Sequence, residues 1–243
     1  YNFDGITPAT RLKTFTQIMR KTFIISESQE KTDAAGNNAQ RQEQKLKRGI
    51  ELRQDTEFAI LNPNASVGGA TREMGSLSSW LETNVSRGAS GSNGGFNTGT
   101  GLTVAPTDGT QRAFTKTLLD NVAQQGYTNG AKFKHMVVSP YVKSVFVTFM
   151  SDSNVAQFRH AANSGQGISI VSNADIYEGP FGKLMVHPDH VMAGSAAMAR
   201  NVYFLDDQKM SFKWFRKIKE DKEAGKVKTG DAKKCVLIGE GAL

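Results

Sequence analysis

Residues 45–61 read KLKRGIELRQDTEFAIL, and the fold turns on how this stretch is read. Leu46, Ile50, Phe58 and Leu61 recur at the spacing of one helical face, which predicts an amphipathic helix. Asn62-Pro63-Asn64 stops it, because a residue before proline is pushed out of the helical region. Upstream the pattern continues to Asp33 or Asn37, giving some 25 residues, on the order of 37 Å of helix. Lys47 and Glu51 stand four apart and are placed to pair on the outer side. Residues 37–45 carry almost no apolar side chains. That half is expected in solvent, or against something other than the helix's own core.

On the N-terminal side, residues 11–28 are rich in Thr, Phe and Ile without Gly or Pro, which predicts an extended segment. Arg11, Lys13, Arg20 and Lys21 make it basic, so it is either a projecting arm or an edge strand guarded by its charges. On the C-terminal side, residues 66–109 are loop-rich. Within them Ser76–Thr83 (SLSSWLET) reads as a short turn anchored by Leu77, Trp80 and Leu81. The Gly/Ser/Asn tract at 86–101 has too few apolar residues to pack and is expected to be a flexible surface loop. A second helix is expected over 110–125, capped by Asp108 or Thr110 and closed by Gly126, with Phe114, Leu118 and Val122 inside. Residues 135–139 form a strand. Ser139-Pro140 opens a third helix whose inner face is Tyr141, Val145 and Phe149. Strands follow at 168–171, 174–178, 183–187 and 201–205, with Gly179-Pro180-Phe181-Gly182 as a hairpin turn. This order is α+β and lacks the regular βαβ alternation of nucleotide-binding domains. The chain opens at Tyr1 in a stretch that already looks internal and ends just after a strand at 235–238, so further segments are expected beyond both ends.

The 243 residues carry 38% hydrophobic and 22% charged side chains, a net charge of +7 and one cysteine. This is the composition of a folded protein, without the apolar run of about 20 residues that a membrane helix needs. A single cysteine, Cys235, makes no internal disulfide, and a reducing cytoplasm is the simplest compartment. The excess of Lys and Arg favours phosphate-bearing partners, although acids interspersed through 209–228 also fit a solvated surface. His187-Pro188-Asp189-His190 invites a metal reading, but positions three apart on a strand face opposite sides and Pro188 breaks any helix that would align them. No phosphate-cradling Gly-rich motif, nucleophile elbow or Cys–His neighbourhood is present in the sequence. No catalytic residue, cofactor or metal is therefore assigned, and no enzyme activity is expected. Phe212, Trp214 and Phe215 among Lys213, Arg216 and Lys217 read either as an aromatic-basic nucleic-acid surface or as sheet packing, with packing favoured by the alternation.

Several segments, in order along nearly the whole chain, resemble the major capsid proteins of tailed bacteriophages. They are residues 14–31 (TFTQIMRKTFIISESQEK), the 45–61 helix with Glu51, Leu52, Arg53, Asp55 and Glu57-Phe58-Ala59-Ile60-Leu61, and Leu77, Ser79, Trp80, Leu81, Asn84, Ser86, Arg87 and Gly88. Residues 108–114 (DGTQRAF), 137–143 (VVSPYVK), 176–188 (IYEGPFGKLMVHP) and 229–231 (TGD) complete the series. The resemblance implies the Hong Kong 97-type fold: an extended-loop limb over 1–30, a peripheral domain with the spine helix over 31–109, an axial domain over 110–207, and a return to the peripheral domain over 208–243. It implies a structural subunit that self-assembles, as hexamers and pentamers, into an icosahedral head around double-stranded DNA. Portal and scaffold or decoration proteins are further partners, the DNA is held non-specifically on the inner face, and no membrane is involved. The location is the virion, with assembly in the host bacterial cytoplasm. Arg11, Lys13, Arg20, Lys21, Arg41, Lys45 and Trp80 are the candidates for inter-subunit contact. Two other readings are an encapsulin-like nanocompartment shell and a basic nucleic-acid-binding module using residues 212–222.

Overall fold

The computed structural model describes residues 11–31, 40–150, 175–222, 230 and 232–243, with side chains described for all of these but 149 and 150. In chain order the elements are β1 (Gln17–Ser26), α1 (Glu27–Lys31), α2 (Gln40–Leu61), α3 (Leu77–Trp80), α4 (Lys116–Thr128), β2 (His135–Val138), α5 (Pro140–Met150), β3 (Ile176–Gly179), β4 (Gly182–Pro188), a 3₁₀ turn (Val191–Gly194), β5 (Val202–Leu205), β6 (Lys213–Glu220) and β7 (Ala232–Ala242). The expected strand at 168–171 and the TGD residues Thr229 and Asp231 lie outside the described residues. Helices and two sheets of separate order make the chain α+β.

The first sheet runs β1-β7-β6, all antiparallel. β1 pairs with β7 along its full length, from Gln17 opposite Gly241 to Ser26 opposite Ala232. Of the two sequence readings of residues 11–28, the edge strand holds for Gln17–Ser26. Its alternation places Met19, Phe23 and Ile25 inward. Met19 meets Leu52 of α2 and Leu237 of β7, and Phe23 and Ile25 close over Cys235. α2 spans 22 residues and lies against this sheet.

The face that α2 buries differs from the one its apolar spacing predicts. Leu52, Thr56 and Ala59 are inside, whereas Leu46, Ile50 and Phe58 are exposed, Leu46 to 67%. On a 3.6-residue wheel the two arcs stand on roughly opposite sides. Small or hydroxylated residues let α2 approach the sheet closely: the Thr56 hydroxyl turns back onto the Leu52 carbonyl (2.8 Å) and needs no other polar partner. The outer charges pair differently too, as Glu43–Lys47 and Arg48–Glu51 (both 2.6 Å).

The second sheet has the order β3-β4-β2-β5, with β2 parallel to β4 and antiparallel to β5. Gly179 and Gly182 close the β3–β4 hairpin, Gly182 at φ +128°, a backbone state glycine adopts without strain. Leu119 of α4, Val142 and Phe146 of α5, and Met136, Val138, Tyr177, Leu184 and Val186 of the sheet form its core. Both helices are rotated by one residue from the sequence reading. Tyr141 is exposed while Val142 and Phe146 are inside, and Leu119 and Ala123 in place of Leu118 and Val122. α4 starts late, capped by the Thr115 hydroxyl on the Leu118 amide, and Asn129 closes it, while Gly126 lies within the helix against the Phe133 ring. Ser139 does cap α5, accepting from the Val142 amide (3.2 Å), with Pro140 as first residue.

A third cluster joins the two layers: Leu61 at the end of α2, Leu77, Met192, Met198 and Tyr203, with Leu243 packed against them.

The 86–101 tract departs from the expected loose loop. Gly95 donates to the Ser79 carbonyl (2.9 Å), Ser92 and Thr107 bridge, and Phe96 pairs with Thr103. The glycines permit this by removing side chains where backbones meet: a Cβ on Gly88 would lie 2.0 Å from the Thr110 carbonyl oxygen, and one on Gly94 2.5 Å from that of Ser78. The region packs by backbone and hydroxyl contacts, Ser79 Oγ to the Ser76 carbonyl (2.7 Å) among them, in place of apolar side chains.

Candidate functional site

Of the seven contact candidates, three meet acids of their own chain. Lys21 on β1 pairs with Asp55 on α2 (2.8 Å). Arg41 and Lys45, on the polar half of α2, both clasp Glu220 of β6 (2.8 Å each). The apolar-poor half of the helix is therefore held to the sheet by charge. Lys45 and Arg41 hold the Glu220 carboxyl down at about 2, with the Lys45 hydrogen bond the largest cause. Its neighbour Cys235 is buried, and burial followed by Glu220 pushes its thiol up, away from the reactive thiolate.

Arg11, Lys13 and Arg20 are exposed and form no ion pair among the described residues. The Lys13 amide donates to the Gly101 carbonyl (2.9 Å), which anchors the approach to β1. Arg20 shares the outer face of β1 with Ile18, Thr22 and Ile24; Ile24 is 65% exposed. On β6 the register shifts at both sides of Arg216, and Phe215 stands 75% exposed. The aromatic-basic stretch thus divides. Phe212 and Trp214 pack edge to face (4.8 Å) beside Gly239 and Gly241, as sheet packing requires, while Phe215 is free of them.

Trp80 stacks edge-on against Phe96 (5.3 Å) and lines a cleft of about 560 Å³. Phe114, Leu118 and Phe204 give the cleft apolar walls, and Arg87, Arg112 and Arg200 give it charge. The Trp80 and Arg87 Nε hydrogens are buried without an acceptor among the described residues.

The polar centre that sequence reasoning missed is Glu240 of β7. It is 3% exposed and accepts from the Thr16 hydroxyl (2.6 Å), from Arg216 (2.8 Å) and from Arg72 (3.2 Å). Thr16 first, then Arg216 and Arg72, hold its carboxyl below the usual range. One side chain thereby ties β6, β7, the residue that leads into β1 and the 66–76 loop. A lone acid in the apolar run VLIGEGAL is the signal that marks it.

His187, Asp189 and His190 do not converge. Asp189 accepts from the Val191 amide (2.8 Å) at the head of the 3₁₀ turn, and His187 meets His135 instead. No group of three or more His, Cys, Asp or Glu is placed to hold a metal among the described residues, and no described helix is long and apolar enough to cross a membrane.

Exposed apolar side chains on α2 (Leu46, Ile50, Phe58) and on the outer sheet (Ile18, Ile24, Phe215) are the mark of a surface made to be covered. The sequence matches the family model described as SU10 major capsid protein over residues 1–243, and the chain belongs to that family of bacteriophage major capsid proteins, structural components of the virion. No curated protein matches it significantly.

Proposed function

We propose that the chain self-assembles into the closed icosahedral head that encloses the phage's double-stranded DNA, through the Hong Kong 97-type arrangement. α2 is the spine helix. With β6 and β7 it makes the peripheral domain, to which the chain returns after residue 208; β1, paired along β7, belongs to the extended-loop limb of residues 1–30, and β2–β5 with α4 and α5 make the axial domain. The pairing of C-terminal β7 with N-terminal β1 supports this reading, because it closes the peripheral layer from both ends of the chain.

The observation that carries the proposal is the uncovered apolar surface on both sides of the α2–sheet layer. A subunit that stayed alone would leave it in water, whereas repetition by symmetry covers it many times with individually weak contacts. Arg11, Lys13 and Arg20 supply the free charge at these contacts, and Trp80 presents the neighbouring cleft. Lys21, Arg41 and Lys45 stiffen the frame behind them. Hexamers and pentamers are the repeating units. Portal, scaffold or decoration proteins and non-specifically held DNA are the further partners, and assembly takes place in the host cytoplasm.

Replacing Ile24 and Phe215 together by Asp tests this. Particles seen by negative-stain microscopy for the parent should be lost, with circular dichroism unchanged. Undiminished particle formation by the variant would remove these faces from the interface.

A further inference from the structure

We propose that His135 and His187 form a binding site for a borderline divalent transition-metal ion, copper(II) foremost. The two residues lie 52 apart in sequence, and the parallel pairing of β2 with β4 brings them together. His135 Nδ1 and His187 Nε2 are 3.0 Å apart, with ring centroids at 5.1 Å. Alternation puts both on the face opposite Met136, Val138, Leu184 and Val186, which are buried behind them. The strands are thus fixed by the core while the imidazoles meet on the outer face of the sheet's two central strands, so little ordering remains for a ligand to impose.

At 3.0 Å the two nitrogens share one proton, one as donor and one as acceptor, so a lone pair already points into the gap. Metal–imidazole bonds are about 2.0–2.1 Å, so an ion bridging these nitrogens subtends an angle of about 90°. That is a cis pair in a tetragonal or octahedral shell and is narrower than a tetrahedral one. The geometry therefore favours Cu²⁺ and Ni²⁺ over tetrahedral Zn²⁺, and the higher intrinsic affinity of Cu²⁺ for imidazole places it first. Met185 stands directly opposite His135 in the register on the same face, adding a thioether to the patch. Binding replaces the shared proton, and water fills the remaining positions.

Cu²⁺ titrated calorimetrically into tag-free protein tests the site. H135N and H187N should each weaken binding by more than about a hundredfold, beyond the loss a mere supporting residue causes, and H190N should leave it unchanged. Equal affinity in wild type and H135N, or an equal loss in H190N, would overturn the proposal. The electron paramagnetic resonance spectrum of the wild-type Cu²⁺ complex gives a reading independent of any variant. Coupling to two imidazole nitrogens is expected, and coupling to one or none would contradict it.

Discussion

At the scale of single residues, two glutamates in the first sheet carry more of the fold than their sequence suggests. Glu240 is buried among Thr16, Arg72 and Arg216, so Glu240→Gln removes the charge the two guanidinium groups share and leaves them one acceptor oxygen in place of two. Those guanidiniums are partly open to water, so the cost falls at about 3 kcal/mol, the low end for a broken buried pair. Urea unfolding at pH 7 should show it. Glu220 sets the acid limit. Its folded pKa of about 2 lies below its unfolded value near 4.5, so its contribution is whole above about 4.5 and lost as pH falls toward 2. Unfolding curves across that window should show a steep loss in the wild type and a shallower one in Glu220→Gln. Glu57 works in the opposite sense: burial, then Asp189, raises its pKa, so its protonated form is favoured in the fold and its cost appears as pH rises. None of these partnerships was legible in the sequence, because Glu220 and Glu240 meet their cations across 24 to 179 positions of chain that only the fold brings together.

At the scale of elements, α2, the β3–β4 hairpin and the Ser139-Pro140 helix start were legible, since each rests on local signals: spacing, glycines at a turn, a cap followed by proline. The buried faces of α2, α4 and α5 were not. Periodicity shows that an apolar stripe exists but not whether the subunit's own core or another surface covers it. On α2 the stripe of Leu46, Ile50 and Phe58 points outward, and the core takes Leu52, Thr56 and Ala59. In the unassembled subunit, Leu52→Ala should cost about 2–5 kcal/mol and Leu46→Ala less than about 0.5, measured by chemical denaturation. Equal costs would contradict this orientation of α2, and reversed costs would place it the other way round. The glycine tract gives a further check, because its apolar side chains are too few to have signalled packing in the sequence. Gly88→Ala should destabilise by about 1–3 kcal/mol, since its methyl group would collide with the Thr110 backbone.

At the scale of the whole molecule, composition established a basic, cysteine-poor chain, and resemblance pointed to a shell subunit. The contact candidates were chosen for charge, and charge alone cannot separate a residue waiting for a neighbour from one already paired. Lys21, Arg41 and Lys45 proved to be engaged at home, whereas Ile18, Ile24 and Phe215, apolar residues in strand patterns, stand open. The central claim is that this surface is built to be covered by further copies of the chain. Cryo-electron microscopy of the purified protein tests it most directly. Closed shells of repeated subunits, with the outer face of β1 and the Phe215 side of β6 buried at subunit contacts, are the result expected. A monodisperse monomer at high concentration, or shells in which both faces remain open to solvent, would contradict it.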